Sequence, residues 1–202
     1  MNSEDPRIAY FDSLAATWDG QEPSEATMTA RLSERADLLA LRSGQVLLEV
    51  GCGTGKTTAW LAARVAPGRV TAIDFAPEMI TRARAKGVDA DFVCRDVCRD
   101  DLGSGLYDVI LCFHSFPHFR DQPAALRRFA EALKPDGRLI VMHIFSSAHL
   151  NHFHATLNGP VNVDRLPVGD QWRPLLAGAG LERTTHIDSQ TLFFLDAVRA
   201  RR

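Results

Sequence analysis

Apolar positions along the chain switch between two rhythms, and that switching predicts the fold. Up to about Arg42 the sequence reads as helical, with "ATMTARLSERADLLALR" carrying Leu and Ala at helical spacing. A short apolar run, "QVLLEV", then ends at glycines, as a strand buried on both faces does. "KTTAWLAARVA" follows as a helix stopped by Pro67 and Gly68. The alternation repeats: strand "RVTAID", helix "APEMITRARAKG", strand "ADFVC", strand "YDVILCF", helix "PAALRRFAEALKPDG" with a Pro-Asp-Gly turn, strand "RLIVMHIF". A helix around "WRPLLAGAG" precedes two strands, "LERTTHI" and "TLFFLDAVR", close enough to pair antiparallel. Strands alternating with helices predict a parallel sheet covered on both faces. In such sheets ligands bind beyond the carboxyl ends of the strands, so chemistry is expected just after each strand.

No repeat, low-complexity tract or linker divides the 202 residues, which predicts one domain. A net charge of −2 gives no electrostatic footprint for nucleic acid, and the Arg199, Arg201, Arg202 end is too short to make one. No apolar run is long enough to span a membrane, and "MNSEDPRIAYFD" lacks the layout of a signal peptide. Cys52, Cys94, Cys98 and Cys112 form no Cys-x-x-Cys pair, so reduced thiols and a cytoplasmic location are expected.

The strongest local signal is "LLEVGCGTGKTT". Gly51, Gly53 and Gly55 follow a strand and open a helix, which lets the backbone turn sharply and approach a ligand. The spacing is neither that of a phosphate loop, which would need a glycine where Val50 stands, nor that of the dinucleotide fingerprint. Asp74 ends the second strand, where a carboxylate can accept from two ribose hydroxyls. Asp96 follows the third strand, where a carboxylate can accept from a purine amine. Each aspartate alone is explained as a helix cap or turn, but three successive strand ends bearing glycines, acid and acid predict a nucleoside cradle.

In these segments, together with "YFDSLAATWD", "VTAIDFAPEMI", "YDVILCFHSFPHFRD" and "LKPDGRLIVMHIF", the chain resembles the class I S-adenosylmethionine-dependent methyltransferases of types 11 and 25. The resemblance covers roughly residues 10 to 145. It implies an α/β, Rossmann-like fold: a seven-stranded, mostly parallel sheet with helices on both faces and an antiparallel last strand. It divides the domain into a helical lid (1–42), a cofactor-binding core (43–145) and a substrate segment with the last strands (146–202). It also implies that Glu49, Gly51, Gly53 and Gly55 line the methionine part of the cofactor and that Asp74 holds the ribose. Phe75 and Met79 would lie beside the adenine, Asp96 and Val97 near its amino edge, and Phe113 at the methionine end. Glu49 stands where the family often has aspartate. The implied activity is methyl transfer to an O, N or S atom of a small molecule. A cofactor- or metal-binding module without transfer, or a non-transfer reaction using S-adenosylmethionine, is the alternative.

Six of the seven histidines lie between positions 114 and 154, three of them in "HLNHFH". His114 and His143 fall at the ends of strands four and five, about 5 Å apart if those strands are neighbours. On a helix His149 and His152 share a face, whereas in an extended segment His152 and His154 point together. The stretch also resembles a methyltransferase-like subgroup carrying His at strand five, Asn-x-x-His and Asp-x-Leu-Pro, here His143, Asn151, His154, Asp164, Leu166 and Pro167, with His118 in "FPHF". Three readings stay open. His118, His143 and His154 hold a zinc, nickel, cobalt or iron ion; or His118 or His143 is a metal-free catalytic base; or the tract is a solvated surface.

Overall fold

A computed structural model describes residues 5–21 and 23–200, so the expectations on the chain ends, Arg201 and Arg202 included, lie outside the described residues. The chain divides into two compact units, residues 1–95 and 96–202.

The first unit opens with helices α1 (Pro6–Ala15), α2 (Glu25–Ser33) and α3 (Ala36–Leu39). Strand β1 (Val46–Val50), helix α4 (Thr58–Val65), strand β2 (Arg69–Asp74), helix α5 (Pro77–Ala85) and strand β3 (Asp91–Cys94) follow. β1 and β3 both run parallel to β2, with Val50 opposite Ile73 and Asp74 opposite Cys94. Leu47, Leu48 and Val50 are buried, as a strand covered on both faces requires. Proline at its first turn starts α5, and Gly87, at φ +65°, takes the left-handed position past its end. The Asp12 carboxylate of α1 accepts the Glu78 N–H at 2.9 Å, satisfying an orphan donor at the start of α5.

The second unit holds β4 (Tyr107–Phe113), α6 (Gln122–Ala132), β5 (Leu133–His143), α7 (Ser147–Thr156), α8 (Trp172–Gly178), β6 (Leu181–Ser189) and β7 (Leu192–Arg199). β4 and β5 are parallel, while β7 runs antiparallel to both β5 and β6. Trp172, Phe116, Phe129, Phe193 and Phe194 fill its core. The strand order is β3-β2-β1-β4-β5-β7-β6, the seven-stranded α/β sheet with an antiparallel last strand that the alternation and the resemblance implied.

Two details differ from the sequence reading. Lys134-Pro135-Asp136-Gly137 makes no separate turn before β5; it is a bulge inside the strand. Tyr107 pairs with Leu133 and Val109 with Arg138, so β5 advances five residues where β4 advances two. And "HLNHFH", which periodicity left open, is helical, lying within α7 and capped by the Ser146 hydroxyl accepting from His149 N at 3.1 Å.

Candidate active site

In the first unit the loop after β1 is built on backbone that only glycine adopts without strain. Gly51, Gly53 and Gly55 have φ of 71°, 54° and 76°. A Cβ at Gly53 would stand 3.3 Å from Trp18 Nε1, and one at Gly55 3.3 Å from both the Phe92 ring and the Thr58 hydroxyl. The Asp74 carboxylate accepts Gly53 N–H and Ala76 N–H, each at 2.9 Å, so the acid at the end of β2 also holds the glycine loop. Asp19, Gln21 and Pro23 brace the same loop. Asp19 accepts from the Thr54 hydroxyl, and the Lys56 ammonium donates to the carbonyls of Gln21 (3.0 Å) and Pro23 (3.1 Å). Phe75 meets Phe11 of α1 edge-on at 5.8 Å, and Met79 is buried.

Glu49 faces inward. Its two oxygens accept from the Thr57 and Thr58 hydroxyls at 2.6 Å each, and the carboxylate is almost fully enclosed. Burial, with a smaller push from Asp74, raises its pKa from 4.5 to about 7 against the lowering effect of the two hydroxyls. The sequence flagged this acid as a cofactor contact; the structure uses it to tie β1 to the start of α4.

In the second unit Asp96 accepts Cys98 N–H at 2.8 Å through one oxygen and Arg120 at 3.2 Å through the other. Val97 and Phe113 are buried. Cys94 is exposed and Cys98 buried, and none of the four cysteines forms a disulfide among the described residues. Burial pushes the Cys98 thiol up to about 11, which marks it as unreactive at neutral pH.

Four of the histidines gather here in two ring pairs, His114 with His143 and His118 with His154, each with centroids 5.0 Å apart. His114 stands at φ +60°, an uncommon conformation for a non-glycine residue, and its Nε2 accepts the Ile144 N–H at 3.2 Å. Its proton therefore sits on Nδ1. His143 ends β5 fully buried, with no hydrogen-bond partner among the described residues for either ring nitrogen. His118 Nδ1 meets the buried Asp164 carboxylate at 2.7 Å, and His154 Nδ1 meets the Asp164 carbonyl at 3.2 Å. The Asp164 carboxylate and carbonyl are both acceptors, so each ring meets Asp164 through an Nδ1–H. Burial first, then neighbouring histidines, lowers His114 and His154 to about 4 and holds His143 well below the usual imidazole value, so these three are neutral at pH 7.

His149 and His152 lie outside this cluster on the exposed side of α7, where His149 stacks on the partly exposed Phe145 at 4.6 Å. Among the described residues no three His, Cys, Asp or Glu side chains are grouped as a metal ion requires, so the expected His118, His143 and His154 metal set finds no support in this geometry.

Sequence reasoning gave Asp164 no role beyond its place in the Asp-x-Leu-Pro match, and it missed how Asp164 is held. Residues 164–168 belong to no strand, and side chains from elsewhere in the unit clasp their backbone. The Asn151 amide donates to Leu166 O at 2.9 Å and accepts Leu166 N–H at 2.7 Å. Trp172 Nε1 donates to Pro167 O at 2.8 Å and Gln122 to Arg165 O at 2.9 Å. The spacing from Asn151 to His154 is the signal for this arrangement: one helical turn puts the clasp and the ring on the same face of α7.

Residues 48–141 match the methyltransferase domain family model, and the chain shares its fold with solved S-adenosylmethionine-dependent methyltransferases. It is similar to the ubiquinone biosynthesis O-methyltransferase of Xanthomonas euvesicatoria pv. vesicatoria, with 34% identity over 151 residues, 69% of this chain and 61% of that protein. The chain spans 39% to 61% of the length of the curated relatives it matches. Among solved structures, a SAM-dependent methyltransferase from Aquifex aeolicus aligns with a TM-score of 0.70 at 20% identity, covering 94% of this chain and 98% of its own. The [4+2]-cyclase SpnF aligns at 0.75 with 18% identity, covering 97% and 96%. No helix among the described residues is long and apolar enough to cross a membrane.

Proposed function

We propose that the chain transfers the methyl group of S-adenosylmethionine to an oxygen of a small-molecule acceptor, with His118 as the base. The observation that carries this reading is the His118–Asp164 pair: a buried carboxylate 2.7 Å from Nδ1 of a ring that is itself 19% exposed. A carboxylate in that position fixes the tautomer and stabilises the imidazolium formed when Nε2 takes a proton.

The residues of the first unit suit the cofactor. Glycines at positive φ let the backbone close on a ligand where a Cβ would intrude, as it would against Trp18 at Gly53. Gly51, Gly53 and Gly55 would take the methionine part and Asp74 the ribose, with Phe75 and Met79 beside the adenine. Asp96 and Val97 would lie at its amino edge and Phe113 at the methionine end. When bound, S-adenosylmethionine supplies the methyl group, its sulfonium becoming a neutral thioether as the new oxygen–carbon bond forms. The chain's own contribution is to hold the acceptor oxygen in line and to carry its proton from oxygen to His118 Nε2. Glu49 would act indirectly, by holding the loop that carries the glycines.

A cyclase of the same fold shows that architecture alone does not fix the reaction, so the product must be identified. The experiment is to incubate the protein with S-adenosylmethionine and a panel of hydroxylated acceptors and to quantify S-adenosylhomocysteine. His118→Ala is expected to lower kcat roughly 10²–10⁴-fold with cofactor affinity unchanged. Cofactor binding without S-adenosylhomocysteine from any acceptor would refute the proposal.

A further inference from the structure

We infer that the second unit carries a further binding site, separate from the His118–Asp164 pair, and that it takes a small acidic amino acid, a ligand with one ammonium and two carboxylates. The inference does not depend on the reaction proposed above.

A cavity of about 370 Å³ opens to solvent where α6, α8 and β7 end and the chain enters β4. Ser104, Arg127, Glu131, Ala179, Gly180 and Arg199 line it. Its volume falls within the range of small-molecule sites. Ser104 comes three residues before β4 and His118 five residues after it, so the seven residues of β4, roughly 20 Å of strand, run between the cavity and the pair.

The backbone around the cavity is already engaged. Glu131 O accepts Gly105 N–H at 2.9 Å and Ala132 O accepts Leu106 N–H at 2.8 Å. Leu133 O accepts from the Arg199 guanidinium at 3.3 Å, and Gly180 O accepts Ala200 N–H at 2.9 Å. These contacts satisfy carbonyls that the ends of α6 and α8 would otherwise leave bare. Recognition therefore falls to the side chains, and three of those are charged. Arg127 and Glu131 stand one turn apart on α6 and share a face, yet neither forms an ion pair among the described residues. Arg199 has no carboxylate partner there either.

Two guanidinium groups and one carboxylate in the same hollow narrow the ligand. A plain dianion matches the arginines but meets Glu131. A plain amine matches Glu131 but meets two arginines. Two carboxylates for the arginine forks and an ammonium for Glu131 pair all three. The exposed Ser104 hydroxyl can donate or accept beside them. Because Arg127, Glu131 and Arg199 are exposed, each pair is of the screened surface kind, and the affinity is expected in the millimolar range.

The test titrates L-glutamate, glutarate and 4-aminobutyrate separately into the 15N-labelled intact chain at pH 7 and low ionic strength. The amide resonances of Gly105, Gly180 and Ala200 report binding. L-Glutamate is expected to shift them along a saturable curve. Glutarate, which lacks the ammonium, and 4-aminobutyrate, which lacks one carboxylate, should each bind about fivefold more weakly, the value of one exposed ion pair. Glu131→Gln should erase the preference for glutamate over glutarate, and Arg127→Gln the preference over 4-aminobutyrate. An unchanged urea midpoint shows that each variant is folded, and the three-ligand comparison on the unsubstituted chain stands without them. No saturable shift, equal affinity for the three ligands, or an undiminished glutamate preference in folded Glu131→Gln would overturn the inference. Equal shifts from sodium sulfate would mark unspecific ion binding and overturn it as well.

Discussion

Replacing Glu49 with glutamine should change how the stability of the chain depends on pH. In the folded state the Glu49 carboxyl is enclosed and its pKa stands near 7 against an ordinary 4.5. Below 4.5 both folded and unfolded chains hold the proton. Between 4.5 and 7 the unfolded chain gives it up while the folded one keeps it, so stability falls as pH rises; above 7 the loss is complete. At 1.36 kcal/mol per pH unit the ionised form costs about 3 kcal/mol, of which about 2.5 kcal/mol develops between pH 5 and pH 8. Glutamine keeps the shape and one acceptor for the Thr57–Thr58 pair but carries no titrating proton. Urea unfolding of the apo protein at pH 5 and pH 8 should therefore show the Glu49→Gln chain gaining about 2–3 kcal/mol on the unsubstituted one across that interval. Parallel pH curves, within about 0.5 kcal/mol, would refute the reasoning and mean that the folded state tolerates the charge at little cost.

Other perturbations test the second unit and the glycine loop. Asp164→Asn, which can donate to Nδ1 and so favour the wrong His118 tautomer, should lower kcat about 10²–10⁴-fold with little change in acceptor KM, as read from initial rates. Asn151→Ala removes two hydrogen bonds from the Leu166 backbone, which is itself buried, and should cost about 2–4 kcal/mol in urea unfolding, with a fall in kcat as Asp164 loses its fixed position. Gly55→Ala forces a Cβ into φ +76° against Phe92 and Thr58 and should destabilise by about 1–2 kcal/mol while weakening S-adenosylmethionine binding, measurable by calorimetry.

Most of the fold was legible because its strands announce themselves. β1, β2 and β4 are apolar runs closed by glycine, aspartate or a helix cap, and no helical reading competes with them. The glycine loop was legible because three residues that tolerate positive φ stand where a strand becomes a helix. The histidine cluster was visible as a local excess, but its wiring was not. "HLNHFH" satisfies both helical and extended spacing, and the Ser146 cap that decides for a helix is one hydroxyl outside the tract. His118 and Asp164 are 46 residues apart, so no local pattern could show that the two side chains meet. The tie from Glu49 to the Thr57 and Thr58 hydroxyls was not legible either, because those threonines lie eight and nine residues downstream.

Residues 164–168 are fastened by side-chain clasps and by no strand ladder. A segment tied down in this way can lengthen, shorten or exchange its acid without disturbing the register of the sheet. In a lineage that diversifies, residues here can change while the glycine loop stays the same. Two chains alike in their glycine loops can therefore have parted company completely at Asp164.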